Sequence, residues 1–103
     1  MSNLESLNQL LGCYLNEDWY LEYGDPWKAV EAFVREEPDD APALRADIDL
    51  AVAEAGSDQE LERRLDRLGL GYAATTAGWE TYGAWLRAVA DRVDQLLHTS
   101  PAA

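Results

Sequence analysis

The sequence has one cysteine, one histidine and only eight basic residues, and each scarcity excludes something. A lone Cys13 forms no internal disulfide, so the fold must rest on packing, which fits a reducing compartment or is neutral. A lone His98 near the end of the chain has no partnered histidine chemistry around it. No run of about 18 apolar residues is present, so no helix is expected to span a membrane. The opening residues Met1, Ser2, Asn3, Leu4 and Glu5 lack a basic segment leading into an apolar run, so no secretory leader is expected and the location reads as cytoplasmic. Eight Lys and Arg against twenty Asp and Glu give a net charge of −12. Such a surface repels phosphate backbones and anionic lipid, so neither nucleic acid nor a membrane surface is an expected partner. The charge favours a cationic protein partner, or simply solubility, and composition alone does not choose between the two.

What is present suffices for one core. Apolar residues make up 48% of the 103 positions. A chain of this size buries roughly 65% of its unfolded surface, enough for a single domain without metal or disulfide staples. The charge is not spread evenly. Residues 1–58 carry fourteen acids and three bases (Lys28, Arg35, Arg45), a net of −11, whereas residues 59–103 carry six acids and five arginines. Half of the aromatics fall within fourteen positions of that first half: Tyr14, Trp19, Tyr20, Tyr23 and Trp27, interleaved with Glu17, Asp18, Glu22 and Asp25.

The apolar spacing is helical throughout. Ser2 and Glu5 read as a capping box before a first helix over residues 3–16, with Leu4, Leu7, Leu10, Leu11, Tyr14 and Leu15 on one face. Gly12 weakens that helix and leaves room for another element to approach. Residues 17–24 either extend it or form a short turn. Asp25-Pro26 is a strong start for a second helix, which Pro38 stops at Glu37. A third helix carries Leu44, Ile48, Ala51 and Val52 and ends near Ala55, with Gly56 expected as a left-handed cap. Ser57 and Glu60 form a capping box for a fourth, lined by Leu61, Leu65 and Leu68 and closed by Gly69. Thr81 reads as the cap of a last helix with Tyr82, Trp85, Leu86, Val89, Val93, Leu96 and Leu97 inward. The expected fold is all-α: a compact single-domain bundle of about five helices over residues 1–98, with a frayed tail at 99–103.

Few residues could carry chemistry. His98 reads as a favourable charge at the negative end of the last helix. Cys13 has acidic neighbours, which raise a thiol's pKa, and reads as core or near-core. Asp47 and Asp49 point in different directions on a helix, and the run Glu36, Glu37, Asp39, Asp40 does not follow a calcium-loop spacing, so no metal and no cofactor are expected. Gly69-Leu70-Gly71 lacks the strand and the further glycine of a phosphate loop. The chain does not read as an enzyme. Trp19 and Trp27 read either as core residues against the last helix or as interface residues, while the acids interleaved with them belong in solvent.

The blocks Leu7-x-x-Leu10-Leu11-Gly12-x-Tyr14, Asp18-Trp19, Tyr23-Gly24-Asp25-Pro26 and Ala29-Val30-x-x-Phe33 occur in order. They are followed by Asp47-Ile48-Asp49, Glu60-Leu61-x-x-x-Leu65-x-x-Leu68-Gly69-x-x-Tyr72 and Tyr82-x-x-Trp85-Leu86-x-x-Val89-Ala90-Asp91-Arg92. In this order and spacing the chain resembles the helical immunity proteins of contact-dependent growth inhibition systems. It departs from them at Asn16-Glu17, where members often carry His-Gln, which makes this surface more acidic. The resemblance implies binding and neutralisation of the toxic C-terminal domain of a cognate toxin. Many such toxins are nucleases with basic clefts.

Charge reasoning, separate from the resemblance, selects the expected contacts. Glu17, Asp18, Glu22, Asp25, Asp39 and Asp40 would face a basic toxin domain, with Trp19 and Tyr23 as anchors. The alternative is an acidic helical adaptor that docks a basic protein without neutralising a toxin. A third reading, a small enzyme built on the paired carboxylates, lacks a phosphate loop, a metal signature and a placed histidine.

Overall fold

The helical spacing of the apolar residues is realised as six α-helices, four of them ten residues or longer, with no strand among the described residues. The computed structural model describes residues 4–99. Helix α1 spans Glu5–Gln9 and runs directly into a π-helical turn, Leu10–Tyr14. Helix α2 is one short turn, Trp19–Glu22; α3 spans Pro26–Glu36. A 3₁₀ turn, Ala41–Ala43, leads into α4, Leu44–Glu54. Helix α5 spans Asp58–Arg67 and α6 Tyr82–Thr99. The tail expected to fray lies outside the described residues from Ser100 onward; Thr99 closes α6.

Helix α6 is the centre of the bundle and packs on α3, α4 and α5, while α1 packs on α4 and the π turn on α3. Trp85, Phe33, Leu7, Leu10, Leu11, Leu15, Leu44, Ile48, Leu65 and Leu86 are fully buried. The radius of gyration is 12.9 Å, the value of about 13 Å that a folded chain of this length has.

Helix ends are held partly by their own caps and partly by one another. Asp25 accepts from Trp27 N at 2.7 Å with Pro26 behind it, as the Asp-Pro signal predicts. Ser57 accepts from Glu60 N at 3.2 Å, and Thr81 accepts from Ala84 N at 2.9 Å. Asp58 adds a carboxylate cap to α6 across space, accepting from Tyr82 N and Gly83 N at 3.0 and 3.1 Å. Asp47 does the same for α1, accepting from Leu7 N at 3.0 Å. The Ser2 cap lies outside the described residues; Leu4 precedes α1 in the left-handed region at φ 47°.

Three expectations need correction. The first helix does not run regularly to residue 16. It widens into the π turn, with Leu15 N bonded to Leu10 O, and ends at Tyr14. That wider turn rotates Cys13 outward, so the cysteine is exposed rather than near-core. Gly56 is not left-handed: Ala55 turns extended to end α4, and Glu60 accepts from Gly56 N at 2.9 Å. Gly69, at φ 104°, is the left-handed closing residue after α5.

Candidate functional site

The acidic-aromatic segment begins with a turn built by one side chain. Asn16 donates to Gly12 O at 3.2 Å and accepts from Asp18 N at 3.0 Å, reversing the chain after the π turn. Against this turn lies Gly71, whose N–H donates to Leu15 O at 2.7 Å. A Cβ at Gly71 would fall 2.6 Å from Glu17 Cα, so only glycine lets the two backbones meet. Gly12 meets Gly69 in the same way: a Cβ on Gly69 would sit 3.2 Å from Gly12 Cα. The close approach expected at Gly12 is therefore real, and its partner is the segment after α5.

Two aromatic ladders fix α2 to this base. At its start, Trp19 Nε1 donates to Gly71 O at 3.1 Å, and the ring meets Tyr72 edge-on at 5.5 Å. Tyr72 in turn packs on buried Trp85 at 5.0 Å. Just past its end, Tyr23 stacks on Tyr14 at 6.3 Å, and Tyr14 meets buried Phe33 edge-on at 5.7 Å. Trp19 and Tyr23, expected as partner anchors, are half-buried and spend their rings on the bundle. The two apolar residues of α2 after Trp19 point outward: Tyr20 is 58% and Leu21 71% exposed. Sequence reasoning did not single them out. The available signal was the position of two apolar residues between Trp19 and Tyr23, where a helical turn cannot turn all four inward. Trp27 takes an intermediate place, half-buried at 6.4 Å from Trp79 and beside Ala88, Asp91, Arg92 and Gln95 of α6.

The acids divide into three groups. Glu17, Asp18 and Glu22 are exposed around α2 and pair with no Lys or Arg among the described residues. Asp25 is committed to capping α3. Asp39 and Asp40 lie in the turn beyond the other end of α3, held to α1 by Ser6 Oγ, which donates to Asp40 O at 2.6 Å. They border a shallow hollow shared with Leu4, Glu5, Ser6, Ala43, Asp47 and Leu50.

Tyr14 sits between the α2 acids and the end of α3, touching Tyr23 on one side and Glu36 and Glu37 on the other. Its hydroxyl lies 3.1 Å from Glu36 Oε1 and 2.9 Å from Glu37 Oε2. Burial, then the bonds to Glu37 and Glu36 and their charges, push the Tyr14 phenol well above its ordinary value. The Tyr23 phenol is raised too, first by burial and then by the charges of Glu22 and Glu36. The carboxylates of α2 and of the end of α3 thus act on one pair of stacked tyrosines.

Residues proposed for other chemistry have local tasks. His98 Nδ1 lies 2.6 Å from Asp94 O, an acceptor in the last turns of α6, so this nitrogen donates. Asp47 is occupied by the α1 cap. Among the described residues no three His, Cys, Asp or Glu side chains converge as metal ligands, and no helix is long and apolar enough to cross a membrane.

A family model described as CdiI immunity protein matches residues 3–93. No curated protein and no solved structure matches the chain.

Proposed function

The chain belongs to the CdiI immunity protein family, a family of toxin-neutralising proteins, and from that premise we propose that it is a non-catalytic, stoichiometric inhibitor whose acidic-aromatic face covers a basic toxin domain. The family match over residues 3–93 carries the reading. The unpaired carboxylates Glu17, Asp18 and Glu22, with Asp39 and Asp40 further along, support the choice of face. A cationic cleft, such as that of a nuclease, meets this field at long range, is steered onto it and loses access to substrate once covered. The work is done in the cytoplasm, where an incoming or newly made toxin would act.

Co-expression with the toxin domain encoded directly upstream tests the proposal. Cells should survive and the two proteins should elute together at one-to-one stoichiometry. Undiminished killing with no co-eluting complex overturns it. Association should also slow as salt rises from about 50 to about 500 mM, because the Debye length falls from about 14 to about 4 Å. An on-rate indifferent to salt would assign the acids to solubility instead.

A further inference from the structure

Three large apolar side chains are exposed among the described residues, and two of them are adjacent: Tyr20 at 58% and Leu21 at 71%. The third, Leu50, is 40% exposed and stands apart on α4. Exposure of Tyr20 and Leu21 does not come from a loosely attached segment. Their helical turn is fastened on one side by the Trp19–Gly71 hydrogen bond and the Trp19–Tyr72–Trp85 ladder. On the other it is fastened by the Tyr23–Tyr14–Phe33 ladder. Tyr20 also rests edge-on against Trp19 at 6.1 Å, which limits its freedom. A knob held this way pays little ordering entropy on docking.

Its surroundings define its occupant. Glu17, Asp18 and Glu22 ring the knob, all exposed and none paired with a cation among the described residues. An apolar centre inside an acidic rim is the complement of an apolar socket inside a basic rim. A second copy of the chain would set these carboxylates against themselves, and an anionic membrane would repel them.

We infer that α2 is the anchor of the toxin interface: Tyr20 and Leu21 enter an apolar socket on the toxin domain, and Lys or Arg side chains at its rim meet Glu17, Asp18 and Glu22. The inference rests on the neutralising function proposed above and deepens it. Trp19 and Tyr23 become positioning residues, which hold the knob without entering the socket.

The test measures binding of the full chain to the upstream-encoded toxin domain by calorimetry. Leu21→Asp should weaken binding about 30-fold or more and Tyr20→Ser about tenfold, the range of central interface residues. Leu50→Asp, exposed but outside the knob, should stay within about threefold. All three variants should keep the wild-type circular dichroism and Tm, because none of these side chains belongs to the core. If wild type binds and Leu21→Asp with Tyr20→Ser binds within about threefold of it, the knob is not the anchor. If wild type does not bind at all, the neutralising function itself falls, a different result. A wild-type homodimer that Leu21→Asp dissociates would assign the knob to a second copy and overturn the inference.

Discussion

The two halves of this bundle use charge differently. From α4 to α6, acids and bases are largely consumed by the fold. Arg45 pairs with Asp91 at 2.5 Å and with Asp94 at 2.6 Å, and Arg64 pairs with Glu54 at 2.5 Å. Asp47 and Asp58 cap α1 and α6. Arg92 reaches back to Glu31 of α3 at 2.7 Å. Around α2 and the end of α3, carboxylates face solvent, and the nearest ion pair is a loose contact of 3.7 Å between neighbours Arg35 and Glu36. A charge of −12 describes neither region. What separates them is the share of carboxylates that cap a helix or pair with an arginine, large from α4 to α6 and small around α2, and those without such a partner are available to another molecule.

The largest effect should come from cutting the ladder that joins the regions where it enters the core. Trp85 is fully buried under Tyr72, which carries Trp19. Trp85→Ala should cost about 3–5 kcal/mol, a large share of the roughly 5–15 kcal/mol that holds a domain of this size together. Urea unfolding followed by fluorescence would register it. A loss under about 1 kcal/mol would mean that the ladder hangs on the bundle without being part of its core.

The difference between the regions also marks what could be read beforehand. Helices α3, α5 and α6 were legible because their signals are local: Asp25-Pro26, Ser57 and Thr81 each cap the helix that follows. The segment around α2 was not, because its orientation is set from elsewhere. Trp19 turns inward because Gly71 and Tyr72, some fifty residues later, offer a carbonyl and a ring. Tyr20, one position on, has no such partner beyond Trp19 itself and stays out. The acids of the candidate face were legible from charge alone; which aromatic beside them points outward was decided by tertiary packing. Cys13 shows the same limit, since a helical wheel at 3.6 residues per turn does not anticipate a π turn. Most blocks that carry the family resemblance, among them Leu7, Leu10, Leu11, Phe33, Leu65, Trp85 and Leu86, are buried. They identify the scaffold, while the outward residues of α2 lie between them.

A smaller effect would separate location of charge from amount. The triple variant Glu17→Lys, Asp18→Lys, Glu22→Lys and the triple variant Glu62→Lys, Asp66→Lys, Glu80→Lys change the net charge equally. If the α2 face meets the toxin domain, the first should slow association about tenfold or more and the second only slightly, in stopped-flow measurements at low salt. Equal slowing would dissolve the distinction between the halves and leave a diffuse field. Neither set is ion-paired among the described residues, so both variants should fold.

The smallest effect concerns Tyr14, where the two regions touch: its ring packs on Phe33 of the core and its hydroxyl reaches Glu36 and Glu37 of the acidic strip. Tyr14→Phe keeps the ring and removes the bond, which should cost about 1 kcal/mol at neutral pH because the carboxylates remain partly in water. The pH dependence gives the sharper reading. An unfolded tyrosine ionises near pH 10, and burial with the two carboxylates holds the folded phenol above that value. Stability from the protonated hydroxyl is therefore intact below about pH 10 and is lost as pH climbs toward the raised folded value. Tyr14→Phe has no phenol to ionise here, so its stability should decline less steeply than wild type above about pH 10 in urea titrations. Parallel alkaline losses would show that neither burial nor Glu37 and Glu36 favour the protonated hydroxyl in the folded state. A divergence would show that burial, together with Glu37 and Glu36, holds this hydroxyl protonated, and that α2 stands beside a fixed point of the bundle.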